Sequence, residues 1–244
     1  MMFFPSFCLK NRLINKALRL MHANAPERLF KEFGQPGGPS LQRYGSDYGG
    51  WFAPGEMPGN WIIYSLGLGQ DISFDMAIIE RFGVEVHGFD PTPKAGEFIA
   101  ERRIHPPLLS DKFKFNAIGI WDSDSTLRFF EPKTRGWVGS YSALNLQGTD
   151  EFIEVPCRAL STLMQERGHD HIDVLKMDIE GAEYRAINHV LDKSIPVRWL
   201  CVEFDQPVPL STTRAMINRL MEHGFVLRWV ERWNFTFENC RYAG

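Results

Sequence analysis

No stretch of the 244 residues approaches the roughly 18 consecutive apolar positions that a membrane-spanning helix requires, so no transmembrane segment is expected. The sequence also lacks a surplus of positive charge: 27 Lys and Arg against 30 Asp and Glu give a formal net charge of −3. A protein that grips a long nucleic acid through its phosphates carries a basic stripe, so that class of partner is not expected. Cysteines are few. The four of them (Cys8, Cys157, Cys201, Cys240) stand far apart with no CxxC pair. Cys157 and Cys201 sit inside apolar, strand-like runs, the setting of buried free thiols rather than of a disulfide framework. The opening MMFFPSFCLKNRL has an apolar run of about nine residues but no basic leader and no small-residue cleavage site, so no secretory signal is expected. These absences point to a soluble protein of the reducing cytoplasm.

What is present reads as an ordinary globular composition, 44% hydrophobic and 23% charged. Leu13, Ile14, Ala17, Leu18 and Met21 share one helix face, with Lys10, Arg12, Lys16 and Arg19 opposite. GQPGGPS (34–40) reads as a linker, and YGSDYGGWFAPGEMPGN after it as a Gly-rich loop carrying Tyr44, Tyr48 and Trp51. From Trp61 strands and helices alternate. WIIYSLGLG, VEVHGFD, KFKFNAIGIW, DVLKMD and VRWLCVEFD read as apolar strands with helices between them, and FVLRWVERW and FTFEN close the chain as a hairpin. STLRFFEP and EFIEVPC are strand-like and flank a polar, Gly-containing loop at 134–150. The expectation is one α/β domain over 61–244, a mostly parallel seven-stranded sheet with a C-terminal antiparallel hairpin, preceded by a helical extension and Gly-rich loop over 1–60.

Ligands of open α/β sheets bind at the carboxyl ends of the strands. Here those ends carry Gly67, Gly69 and Asp71; then Asp90; then Ala117 and Ile118; then Asp178; then Glu203 with Asp205 beyond. Glycines at Gly67 and Gly69 let backbone approach a ligand, and Asp90, 21 residues after Gly69, is placed to accept two ribose hydroxyls. A nucleoside-containing cofactor follows. Asp71 puts negative charge where a pyrophosphate would lie, and Ile72 stands where the dinucleotide fingerprint wants a small residue. Both disfavour NAD and favour S-adenosylmethionine, whose amino-acid end bears a cationic amine. No third strong ligand accompanies the acids at a fixed spacing, so no metal is expected. His169 and His171 have metal-like spacing but precede their strand, on the edge away from the chemistry.

DVLKMDIEGAEYRAI (173–187) resembles the hallmark segment of FkbM-type methyltransferases, a branch of the class I S-adenosylmethionine-dependent, Rossmann-like fold. VEVHGFDPTP, AIGIWD, VPCRALSTLM and VEFD resemble the family in the same order, so the likeness covers about 61–205. RYGSDYGGW resembles a segment found before the core in some relatives. The family's first loop is usually an Asn- and Gly-rich turn, whereas this chain has SLGLGQD.

The resemblance implies a set of contacts. Ser65, Gly67, Gly69 and Asp71 would face the methionine end of S-adenosyl-L-methionine, Asp90 and Pro91 the ribose, and Ala117 and Ile118 the adenine. Asp178 would sit beside the reacting methyl, with Glu180 and Glu203 as further catalytic candidates. Glu183, near a helix N-terminus, reads as a stabiliser of that end. Trp51, Ser140 and Ser142 are candidates for touching the acceptor. The activity implied is O-methylation of a small sugar or natural-product acceptor. Two alternatives stand beside it: a catalytically silent binding protein on the same fold, and an NAD-dependent enzyme.

Overall fold

Pro26, in a first turn where a missing N–H costs nothing, opens helix α1 (Ala25–Phe33), which sends Leu29 into the core. The structure is a computed structural model that describes residues 24–35, 37–104, 110–131, 141–145, 148–204 and 208–242. The basic amphipathic helix expected over 10–21 lies outside them. The Gly-rich stretch expected as loop is instead an antiparallel hairpin, β1 (Leu41–Tyr44) and β2 (Trp51–Pro54), with Gly45 and Gly50 between its strands. Strands of four residues are too short for alternation to register, and the surrounding glycines dominate the pattern.

The alternation that follows is the expected one. β3 (Ile62–Leu66) leads to α2 (Ser73–Phe82), β4 (Glu85–Phe89), α3 (Pro93–Ile104) and β5 (Phe113–Asn116). Gly83, at φ 66°, closes α2 in the left-handed conformation and donates its N–H to the Ile79 carbonyl. KFKFNAIGIW does not form one strand. The chain bends after Asn116, and β6 (Gly119–Trp121) leaves the main sheet to join β7 (Ser125–Phe130) and β8 (Phe152–Ala159) in a separate three-stranded sheet, ordered β6-β8-β7. Helix α4 (Leu160–Arg167) returns the chain to β9 (Ile172–Met177). α5 (Glu183–Asp192), β10 (Val197–Glu203), α6 (Leu210–Glu222) and the hairpin β11 (Phe225–Glu231) and β12 (Asn234–Asn239) complete it.

The main sheet has seven strands in the order β5-β4-β3-β9-β10-β12-β11. All pair in parallel except β12, antiparallel to both its neighbours. Both faces are covered. Tyr64, Leu66, Leu175 and Met177 enter one core with α4, α5 and α6, while Ile63 and Val174 enter the other with α2 and the β1–β2 hairpin. Each such side chain contributes about 1.5–3 kcal/mol by leaving water. The exposed edge β11 is blunted by α1 and by the following segment, where Gln35 donates its N–H to the Leu227 carbonyl. No helix among the described residues is long and apolar enough to cross a membrane.

Candidate active site

Successive connections leave β3 and β9 in opposite directions, and a cleft of about 650 Å³ opens between their carboxyl ends. Its floor is the glycine loop after β3. Gly67 has φ 74°, and a Cβ there would lie 1.6 Å from the carbonyl oxygen of Asp178. The close approach expected at this glycine is therefore made by the protein's own backbone, not by a ligand. Gly69 has φ 52° and would meet nothing within 4 Å, so only its backbone conformation calls for glycine.

Asp90 ends β4 at 5% exposure and lines the cleft. One carboxylate oxygen accepts the N–H groups of Leu68 and Gly69, both at 2.9 Å; the other accepts the Thr92 N–H at 2.8 Å and its hydroxyl at 2.6 Å. The residue expected to clamp a ribose thus also staples the glycine loop to the neighbouring strand. Asp90→Asn turns one acceptor oxygen into an NH2 facing N–H donors. Hydrogen bonds to charged groups contribute about 1.5–3 kcal/mol each. At about 2–4 °C per kcal/mol for a chain of this size, the ligand-free variant is expected to melt roughly 5–10 °C lower. An unchanged melting temperature by calorimetry would show that the loop does not depend on this carboxylate.

Asp71 has a different occupation from the one expected. It lines the cleft, but its carboxylate accepts the Ser46 hydroxyl (2.7 Å) and the Ser73 N–H (2.7 Å). Burial pushes its pKa up, and the hydrogen bonds from Ser73 and Ser46 more than reverse this, leaving the carboxyl below its ordinary value. The Ser46 N–H donates to the Ser73 hydroxyl, and the Gly49 N–H to the Ser46 hydroxyl. This network fastens the turn between β1 and β2 over the cleft as a roof. Arg43 ties the same hairpin to Glu231 at 3.1 Å, and the Thr236 hydroxyl donates to the Phe52 carbonyl at 2.7 Å. Trp51 is buried in the roof and lines the cleft. Tyr48 stands at the tip, 88% exposed, within the field of Asp178, Glu203, Glu180 and Asp71.

The acids after β9 divide into two groups. Glu183, 2% exposed, folds back so that its carboxylate accepts the N–H groups of Ile179 (2.7 Å) and Gly181 (2.8 Å). That pair of bonds shapes the turn into α5. Asp178 and Glu180 face the cleft, joined by Glu203 from the end of β10. Glu180 has φ 54°, a left-handed conformation that disfavours residues with a Cβ. The Ser142 hydroxyl donates to its carbonyl at 2.6 Å. Among the described residues no group of three His, Cys, Asp or Glu could hold a metal ion.

The cleft brings together Trp51, Gly67, Gly69, Asp71, Asp90, Pro91, Ile118, Asp178, Glu180 and Glu203. It does not include Ser65, which is fully buried on the face of β3 opposite Tyr64, between the registered positions Gly88 and Lys176. Ala117 is also left out, because the bend after Asn116 puts it on the exposed side while Ile118 faces in. Ser142 is buried and supports Glu180 rather than lining the cleft, and Ser140 and Asp205 lie outside the described residues. His169 meets the Tyr64 hydroxyl (3.0 Å) and His171 meets Asp170 and Asp173, all around the start of β9.

Several lining residues were not anticipated. Phe129 reaches in from the second sheet, Tyr141 from the segment that Ser142 bridges to Phe130, and Arg232 and Asn234 from the β11–β12 turn. Lys176 also lines it, and a lysine between the apolar residues Leu175 and Met177 was the one available signal.

Residues 57–237 match the sequence profile described as the methyltransferase FkbM domain. The 31-O-demethyl-FK506 methyltransferase FkbM of Streptomyces tacrolimicus is 26% identical over 163 residues, covering 57% of this chain and 62% of that protein. The probable methyltransferase-like protein 24 of Rattus norvegicus is 26% identical over 129 residues, or 53% of this chain and 28% of that protein. The chain thus spans less than two thirds of the length of either relative. Among solved structures, a methyltransferase FkbM from Methylobacillus flagellatus superposes with a TM-score of 0.48 at 13% identity, covering 96% of this chain and 56% of that one.

Proposed function

This chain belongs to the methyltransferase FkbM domain family, and we propose that it transfers a methyl group from S-adenosylmethionine to a hydroxyl of a small sugar or natural-product acceptor. One observation carries the reading: a single cleft holds the glycine loop and Asp90 together with Asp178, Glu180 and Glu203. The Streptomyces relative is named for methylation at an oxygen, which agrees with transfer to a hydroxyl. In this reading residues 61–244 are the methyltransferase domain and residues 1–60 an extension, whose hairpin over 41–54 supplies the roof. Its free thiols suit the cytoplasm: burial pushes the pKa of Cys157 up to about 11 and that of Cys201 to about 12, so neither is a ready thiolate.

The residues present fit the cofactor. Gly69 leaves open space above the loop, Asp90 is anchored beside it, and Pro91 and Ile118 offer an apolar border for a base. When bound, the cofactor supplies an electrophilic methyl on a cationic sulfur. Asp90 would accept a ribose hydroxyl in exchange for the Thr92 hydroxyl, since four donors already occupy its two oxygens. Phe129 and Tyr141 give a sugar-sized acceptor a flat wall, and Glu180, Glu203 and Asn234 offer groups for its hydroxyls. Asp178 takes the acceptor's proton as the oxygen is alkylated; holding that oxygen in line supplies much of the rate. At about a hundred times its dissociation constant, S-adenosylhomocysteine is expected to stabilise the fold by about 2.7 kcal/mol, raising the melting temperature by a few degrees. A shift with NAD and none with S-adenosylhomocysteine would overturn the assignment.

A further inference from the structure

Strand β9 is buried along its whole length, yet its fifth residue is a lysine. Lys176 is 6% exposed. An ammonium taken out of water is costly unless an anion and hydrogen-bond acceptors replace the solvent. Acceptors are present: its Nζ donates to the Gly67 carbonyl and approaches the Leu66 carbonyl at 3.4 Å. The Trp51 ring lies 5.5 Å away, presenting its face to the charge. No carboxylate of the described residues forms an ion pair with it. Asp75, fully buried in α2, feels its charge, but burial pushes that acid up to about 6 and one of its oxygens has no hydrogen-bond partner. Asp75 is therefore an incomplete counter-ion.

An ammonium has three N–H groups, and the two carbonyls account for two. The side chain borders the cleft directly beneath the glycine loop. Elsewhere the cleft is acidic, through Asp71, Asp90, Asp178, Glu180 and Glu203, and its other cation, Arg232, is exposed at the hairpin turn. An anionic group entering this cleft thus finds one sheltered cation. S-adenosylmethionine carries one anion, the α-carboxylate of its methionine end. We infer that Lys176 receives that carboxylate, with Trp51 closing over the pair; the inference rests on the cofactor reading above.

The test varies protein and ligand together, by calorimetry. The probes are S-adenosylhomocysteine and its decarboxylated analogue, which keeps the adenosine, the sulfur and the amine. The wild-type protein is expected to bind S-adenosylhomocysteine about tenfold or more tighter than the analogue, as a charge-assisted contact requires. In Lys176→Gln that advantage should disappear, through weaker binding of S-adenosylhomocysteine with the analogue little changed. Equal weakening of both ligands would show that Lys176 only shapes the glycine loop, and would overturn the inference. So would an unchanged preference. If Lys176→Gln fails to fold because Asp75 is left without its cation, Lys176→Gln/Asp75→Asn removes both buried charges and supports the same comparison. Failure of the wild type to bind either probe would instead overturn the cofactor reading itself.

Discussion

Gly67→Ala is expected to lower the melting temperature by roughly 8–16 °C, at about 2–4 °C per kcal/mol for a chain of this size. The added Cβ would lie 1.6 Å from the Asp178 carbonyl oxygen, a backbone atom with no rotamer to change. Relief requires the end of β3 to separate from the end of β9, and these strands are registered from Ile63–Val174 to Leu66–Met177 in the centre of the sheet. A left-handed conformation costs a residue with a Cβ about 1–2 kcal/mol. Forcing backbone and core apart adds about 1–3 kcal/mol, for a total near 4 kcal/mol. Gly69→Ala is the control. It has a similar φ of 52° but open space around it, so it should lose only the conformational part. Thermal unfolding of the two variants side by side measures the difference, and equal melting temperatures would mean that the loop does not cross over Asp178.

Asp178→Asn is expected to cut turnover by roughly 10²- to 10⁴-fold, the contribution of a positioned general base. The substitution preserves shape and leaves in place the Asp178 N–H bond to the Leu66 carbonyl at 3.0 Å. S-adenosylhomocysteine affinity should therefore hardly change, and the loss should appear in kcat. A chelator should have no effect on the wild-type enzyme. Activity abolished by chelator and restored by Mg²⁺ would point to carboxylates gathered around an ion. Full turnover in Asp178→Asn would move the role to Glu180 or Glu203.

β3, β4, β9 and β10 were legible because each is a short run ending in a glycine or an acid, and the sheet edge that collects those ends follows from topology alone. Side-chain direction within the strands was not. A strand buried on both faces has no polar–apolar alternation to show which way a residue points. Ser65 illustrates the failure: near the right end of the right strand, it faces Asp75 and Lys176 beneath the loop rather than the cleft. Lys176 is the converse, a residue whose charge was visible but whose facing was not. Ala117 missed by one position, because the bend after Asn116 that divides two sheets leaves no mark in KFKFNAIGIW. Phe129 had no signal at all, and Tyr141 only its place between the candidates Ser140 and Ser142. Their place depends on a second sheet docking beside the first, a contact between segments distant in sequence.

The boundary of the shared domain and the boundary of the cleft do not coincide. The profile begins at residue 57, whereas Trp51, Tyr48 and the serine that engages Asp71 all precede it. A fragment that begins at residue 57 and keeps the rest of the chain would retain every strand of the main sheet and lose the roof. Lys176 would then meet bulk water in place of an indole ring, and its attraction for an anion would be damped by a high dielectric. Such a fragment would also uncover the face of the sheet that Tyr44, Trp51 and Ala53 cover. The hairpin before residue 57 is thus shared by the core and the cleft, so a truncation designed from the profile alone is expected to damage stability and ligand binding together.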